Sequence, residues 1–562
     1  MAGSVLTPNS IWGDLVFETK PKAKTIYTVE KDGLIFERFY IEGLTIKGKP
    51  ISIYAYMIRP QKAEKTPLVF VSHDFFVKEN EKIDFEFLRQ GYSVVAVDFA
   101  GADELRQYYT KYPEELNYAN FNFAKENLFA IDGEVKDSCW YVWASVAKYA
   151  IRYFASLKNF STLGIYSFGE VNTILWQAVA TEEKGVDCAV FCMNAGWTSY
   201  RKYYKYSTTA EPLFPSDILK YIAGVEAQSY ASHIKCPILV LSSTNNRDFD
   251  MDRIEGTLFR TDEKVYTCSY YSVNLSGIID KDGWDDLNIF YSTFLKKTGT
   301  KATLNKDVEV KCEVKDGKVE IKASTKEEFE NLVVYVSEEI VKPSNRAWKL
   351  VDKYKEVKKG VYLFEYTPHK YSGMITAFAK MKGKQGFTTC SSTVAKRFTE
   401  SEIEKPSLRN ILYTSRTGQM ENTFAPYDES YAYSNEIDVE NLGKIKKVKG
   451  AMGIYGMTSD YGVITYKLAL SKFKPKDDSI FMFDIYLPDG GEVEASLITD
   501  TGEIKTYTAR ANLVSGSIWH NVKFIGKNFK TKEGMGLKTY ENVVAFALNC
   551  DKKYVVNNIL WV

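Results

Sequence analysis

The chain has 562 residues, 45% hydrophobic and 26% charged, with a formal net charge of +1. Such a length exceeds one ordinary core and predicts two to four domains, and the balance of apolar and charged residues excludes a disordered chain. Lysine and arginine alternate with acids and sum to no sustained field, which argues against nucleic acid and membrane surfaces as partners.

From about residue 25 to 60, TIYTVEKDGLIFERFYIEG and PISIYAYMIRP alternate apolar and polar residues, predicting two or three antiparallel strands. Six short apolar runs follow: PLVFVSHDF (67–75), YSVVAVDFAG (92–101), STLGIYSFG (161–169), CAVFCMN (188–194), PILVLSS (237–243) and VYTCSYYSV (265–273). Segments of helical spacing separate most of them, among them EKIDFEFLRQG, KDSCWYVWASVAKYAIRYFASL and VNTILWQAVAT. Strands buried on both faces and alternating with helices predict a doubly wound, mostly parallel sheet. After DDLNIFYSTFLKK the helical rhythm stops. Alternating, turn-punctuated text from 305 to about 397 fits a small immunoglobulin-like sandwich. SEIEKPS (401–407) is a polar link, and the alternation from about 408 onward is long enough for a jelly roll. The expected division is therefore 1–300, an α/β-hydrolase-like domain; 301–400, an immunoglobulin-like β-sandwich; and 401–562, a jelly-roll domain.

The eight cysteines show neither C-x-x-C nor metal-type spacing, so no zinc, other metal, cofactor or disulfide framework is expected. Cys188, Cys192, Cys236 and Cys268 fall in or beside apolar runs and read as reduced core residues. The opening MAGSVLTPNSIWGD lacks the basic and apolar regions of a signal peptide, which predicts a cytoplasmic chain; a secreted chain trimmed of its leader would read the same.

A hydrolase of this architecture needs a nucleophile on a sharp strand-to-helix turn, oxyanion donors, and an acid and a histidine later in the chain. Ile165-Tyr166-Ser167-Phe168-Gly169 stands where G-x-S-x-G is expected and makes Ser167 the candidate nucleophile. Ser72-His73-Asp74 ends an earlier buried run, placing oxyanion donors near Asp74 and Phe168 and leaving His73 as either a loop histidine or an improvised base. SSTNNRDFDMDR offers Asp248, Asp250 and Asp252 as the acid, with Asp248 the first candidate. The stretch SVNLSGIIDKDGW after the last strand holds no histidine, and loss of a triad costs on the order of a million-fold in rate.

The region from about 25 to 300 resembles bacterial carboxyl esterases of the dienelactone-hydrolase and acetyl-xylan-esterase type, on PLVFVSHDF, VVAVDFAG with Asp98 and Gly101, YTKYPEELNYANF, Trp140 and Trp143, and IYSFGE. The resemblance implies an acid at Asn246 and a histidine at Gly277, so both positions of the triad are degenerate. The last domain resembles jelly-roll carbohydrate-binding modules, on VKGAMGIYG, ITYKLAL, IFMFDIYLPDG, Trp519 with NVKFIGKNFK, and YVVNNILWV. That resemblance implies a sugar platform at Trp519, which as a strand tryptophan also reads as core. It also implies a weakened cation site, because Asn557-Asn558-Ile559 replaces D-D-I.

Two functions follow as expectations. One is a catalytically degenerate esterase-like protein that serves as a binding or self-assembling protein, with a polysaccharide or copies of itself as partner. The other is a serine carboxyl or acetyl esterase acting on carbohydrate esters through Ser167 with a non-standard base.

Overall fold

A computed structural model describes residues 6–562 apart from 63–64, 78–81, 126–127, 183–184, 210–211, 300–303, 305–307, 369–372, 400–401, 403–409, 417–419 and 429–442. The SEIEKPS link lies outside the described residues except for Glu402. Contacts divide the chain into two compact units. The first comprises residues 1–242, 248–270 and 285–304, and the second comprises 243–247, 271–284 and 305–562.

The apolar runs become the strands of one nine-stranded sheet: β1 (Lys22–Lys31), β2 (Leu34–Ile46), β3 (Lys49–Pro60), β4 (Thr66–Ser72), β5 (Ser93–Val97), β6 (Phe160–Phe168), β7 (Cys188–Cys192), β8 (Ile238–Ser243) and β9 (Thr267–Ser272). Their spatial order is β1-β2-β3-β5-β4-β6-β7-β8-β9. The first three strands are antiparallel, as their alternation predicts, and β5, β4, β6, β7 and β8 run parallel. Every residue of β5, β7 and β8 is buried, which is why these strands read as unbroken apolar text.

Helices cover both faces. On one side Phe87 of α1 (Lys82–Arg89) meets Tyr166 at 5.4 Å between ring centroids. On the other, Phe154 of α2 (Cys139–Ser156) meets Phe70 at 5.5 Å, and Trp176 of α3 (Asn172–Thr181) stacks on Phe191 at 4.3 Å. Ser138 caps α2 by accepting the Tyr141 N–H at 3.3 Å. Two further helices are α4 (Met251–Leu258) and α5 (Lys281–Phe294), and the Tyr291 hydroxyl of α5 donates to the Ile165 carbonyl at 2.7 Å. The strand order and parallel crossovers make this an α/β-hydrolase-type sheet. Cys188, Cys192, Cys236 and Cys268 are buried in it.

In the second unit the alternating text forms two pairs of antiparallel sheets. Residues 309–397 supply one sheet ordered Glu309–Lys315, Lys318–Ser324, Val361–Tyr366, Tyr354–Lys358, and another ordered Lys349–Val351, Phe329–Glu338, Met374–Gly383, Thr388–Cys390. Val319, Ile321, Val334, Phe364 and Ala377 are buried between them. Residues 411–561 supply a further pair, whose core includes Phe481, Phe483, Leu497, Phe546 and Val556. Strands such as Ile480–Tyr486 bury every second residue, the signature of one face on a core. Among the described residues no helix is long and apolar enough to cross a membrane.

Candidate functional site

Connections leave β4 and β6 in opposite directions, β4 leading to β5 on one side and β6 to β7 on the other. Such a switch point opens a crevice at the carboxyl ends of the two strands, where ligands of open α/β sheets bind.

Beyond β6 the chain turns into α3 at Gly169, whose φ is +71°. Ser167, which the sequence places on the turn, lies two residues earlier inside the strand, in register with Ser72 of β4 and Phe191 of β7. Phe168 is also extended, at φ −133° and ψ 135°. The strand thus runs further than the apolar run suggests, and the left-handed residue that makes the elbow is glycine. A Cβ built on Gly169 would meet nothing within 4 Å, so the elbow has room for a side chain that this chain does not supply.

Ser167 is 0% exposed, and among the described residues its Oγ has no hydrogen-bond partner. Its direction explains this. Ile165 pairs with Phe70, which packs on α2, so Ser167, two residues on, faces the same helix layer. His73 follows β4, and its ring meets Tyr166 edge-on at 5.6 Å. Tyr166 and Ser167 are strand neighbours and point to opposite faces, so the imidazole sits on the side away from the hydroxyl. Asp74 accepts the N–H of Phe75 at 2.6 Å, a local turn bond. Asp248 is exposed between β8 and α4, and the helix is capped instead by Asp250, which accepts the Asp252 N–H at 2.8 Å. The structure brings Ser167 and His73 to adjacent strand ends without joining them, and the Ser167 hydroxyl bonds to neither His73 nor Asp248.

The loops after β8 and β9, where the acid and histidine of a triad would stand, belong to the second unit and have other partners there. Asn245 Nδ2 donates to the carbonyls of Ser344 (3.0 Å) and Arg346 (2.7 Å). Asn274 accepts the Trp348 N–H at 2.9 Å and donates to the Trp348 carbonyl at 3.0 Å. Asn246 is buried, and Gly277, at φ +71°, donates its N–H to Ser243 Oγ at 2.9 Å. Sequence reading singled out Asn246 and Gly277 but missed Asn245 and Asn274. Nothing in a loop asparagine announces a backbone partner a hundred or seventy residues away.

In the last pair of sheets Trp519 is half-buried, and its Nε1 donates to the Ala451 carbonyl at 3.0 Å. Asn557 and Asn558 stand in a closed network. Asn557 Oδ1 accepts the Ser415 N–H at 2.9 Å, Asn557 Nδ2 donates to the Tyr455 carbonyl at 3.0 Å, and Asn558 Nδ2 donates to Asp484 at 2.7 Å. Both amide oxygens are engaged, that of Asn557 by the Ser415 N–H and that of Asn558 by the Thr414 hydroxyl at 3.0 Å, and two neutral amides attract a hard cation less than two carboxylates would.

Among solved structures the chain is similar to acetyl xylan esterase 1 from Thermoanaerobacterium sp. JW/SL YS485, at 13% identity over 52% of this chain and 94% of that one, with a TM-score of 0.38. It is similar to an acetyl xylan esterase from Paenibacillus sp. R4 at 9% identity, over 51% and 92% of the two chains, with a TM-score of 0.38. A putative dienelactone hydrolase from Klebsiella pneumoniae subsp. pneumoniae matches at 13% identity, over 47% and 100%, with a TM-score of 0.31. No family model and no curated protein matches the chain. The first unit has an α/β-hydrolase-type sheet, and its strand order is what establishes this.

Proposed function

We propose that this chain is an esterase-like α/β protein without hydrolytic chemistry, which uses its scaffold and β-sandwiches to bind a polysaccharide. The observation that carries the reading is the glycine at the left-handed elbow position, with the nearest serine two residues back, fully buried and without a base. A hydroxyl that hands its proton to nothing stays un-ionised at neutral pH and is a poor nucleophile. The commitment of Asn245 and Asn274 to the backbone of residues 344–348 supports the same reading, because loops held in that way serve packing. For the glycan surface, half-buried Trp519 on its edge strand is the support.

The test is direct. A fluorophosphonate probe should fail to label Ser167, and p-nitrophenyl acetate should be hydrolysed no faster by the wild type than by Ser167→Ala. Retention on insoluble xylan, weakened about tenfold or more by Trp519→Ala, completes the expected result. Covalent labelling of Ser167, with turnover abolished by Ser167→Ala, would establish the serine-esterase alternative. Concentration-dependent sedimentation without retention on any glycan would replace the polysaccharide with a second copy of the chain.

A further inference from the structure

Within the second unit, a cleft of about 620 Å³ is lined by residues from both pairs of sheets. Apolar residues, Ala347, Leu350, Ile411, Leu470 and Phe473 among them, line one part of it and charged or polar residues the rest, and its volume is in the range of small-molecule sites. The polar groups it holds are unusual in sign. Lys467 is only 6% exposed, and among the described residues its ammonium has one hydrogen-bond partner, the Leu412 carbonyl at 2.6 Å. The rings of Phe473 and Phe424 lie 5.4 and 5.9 Å from it. No carboxylate forms an ion pair with Lys467 among the described residues, and the neighbouring charges are two more lysines, Lys472 on the wall and Lys349 at the exposed rim.

One carboxylate is buried there, that of Glu338, and it is already engaged. It accepts from the Tyr366 hydroxyl at 2.5 Å and lies 3.4 Å from the Lys472 ammonium. Lys349 rests over the Tyr366 ring at 5.1 Å, and Asp352 and Lys353 are exposed at the mouth. Among the described residues Lys467, Lys472 and Lys349 therefore share a cleft whose one buried carboxylate, Glu338, is already committed, with Asp352 exposed at the mouth. Burying an unpaired ammonium is costly, and burial, reinforced by Lys472 and Lys349, pushes Lys467 down to about 7. An anion in the cleft would offset that cost, and the apolar walls would take the rest of the molecule.

We propose that this cleft is a binding site for a small organic carboxylate with an apolar body, its carboxylate received by Lys467 with Lys472 and Lys349 and its body lying against Leu350, Leu470 and Phe473. The inference is independent of the polysaccharide reading. Because an anion favours the charged form of Lys467, binding takes up a proton and strengthens as pH falls through 7. From pH 8 to pH 6 the protonated fraction of a group titrating near 7 rises about tenfold.

Calorimetric titration of the full chain with benzoate, benzyl alcohol and inorganic phosphate at pH 6 and pH 8 tests this. Benzoate is expected to bind saturably, about tenfold tighter at pH 6. Lys467→Met should weaken it at least tenfold at pH 6 and remove the pH dependence, with Tm at or above wild type because a buried charge is gone. If Lys467→Met does not fold, Lys349→Met at the exposed rim decides instead, with a loss of about threefold supporting the site and no loss overturning it. Absence of benzoate binding at both pH values, unchanged affinity in Lys467→Met, or benzyl alcohol or phosphate binding as tightly as benzoate would overturn the proposal.

Discussion

Asp98→Ala will destabilise the first unit by about 3–5 kcal/mol, the cost of breaking a buried ion pair from one side. Asp98 follows β5, is fully buried, and organises the chain beyond the strand. Its carboxylate accepts the N–H groups of Gly101 at 3.1 Å and Thr110 at 2.9 Å and forms an ion pair with Arg106, whose guanidinium lies 4.7 Å from the centre of the Phe76 ring. Arg106 also donates to the Gly101 carbonyl, and the Asp98 carboxylate, through Gly101 and Thr110, closes the segment from 98 to 110. Alanine removes the acceptor of the Gly101 and Thr110 amides and the counter-charge of a partly buried Arg106. Urea unfolding measures the loss. Arg106→Met should cost a comparable amount, because it leaves the fully buried Asp98 carboxylate without its counter-charge, and the double variant should fall short of the sum. A loss below about 1 kcal/mol for Asp98→Ala would mean that the latch does not hold this segment.

Asp98 was conspicuous in the sequence as part of VVAVDFAG, and the strands of the first unit were legible to within a few residues because burial on both faces leaves an unbroken apolar run. What the run does not show is where it ends. Ser167 is small enough to sit inside a buried strand, so IYSFG reads equally well as strand-then-serine turn or as strand through Phe168 with the turn at Gly169. Only the backbone, with φ at +71° on Gly169, separates the two. His73 illustrates the same limit, since its proximity to Ser167 along the strand ends says nothing of which sheet face it takes. Lys467 did leave a trace. It is the one charge in ITYKLAL, an apolar segment read as a strand motif, and a lone lysine in such a run marks either an exposed edge or a buried charge. The partners that decide between these, Leu412 and Lys349 more than a hundred residues earlier, come from tertiary structure.

Asn274→Ala will cost about 2–4 kcal/mol in the transition of the second unit, since it leaves two buried backbone groups of Trp348 unpaired, each worth about 1–3 kcal/mol. The side-chain amide of Asn274 accepts from the Trp348 N–H and donates to its carbonyl, as a neighbouring strand would, and the Trp348 ring is packed edge-on against Phe378 at 4.9 Å. Asn245 holds the same segment through Ser344 and Arg346, so Asn245→Ala should behave alike and the pair should be non-additive. Hydrogen exchange gives the sharper readout, because the Trp348 amide should lose protection in Asn274→Ala while the amides of β6 keep theirs. A cost under about 0.5 kcal/mol with Trp348 still protected would show that the loop is not an anchor.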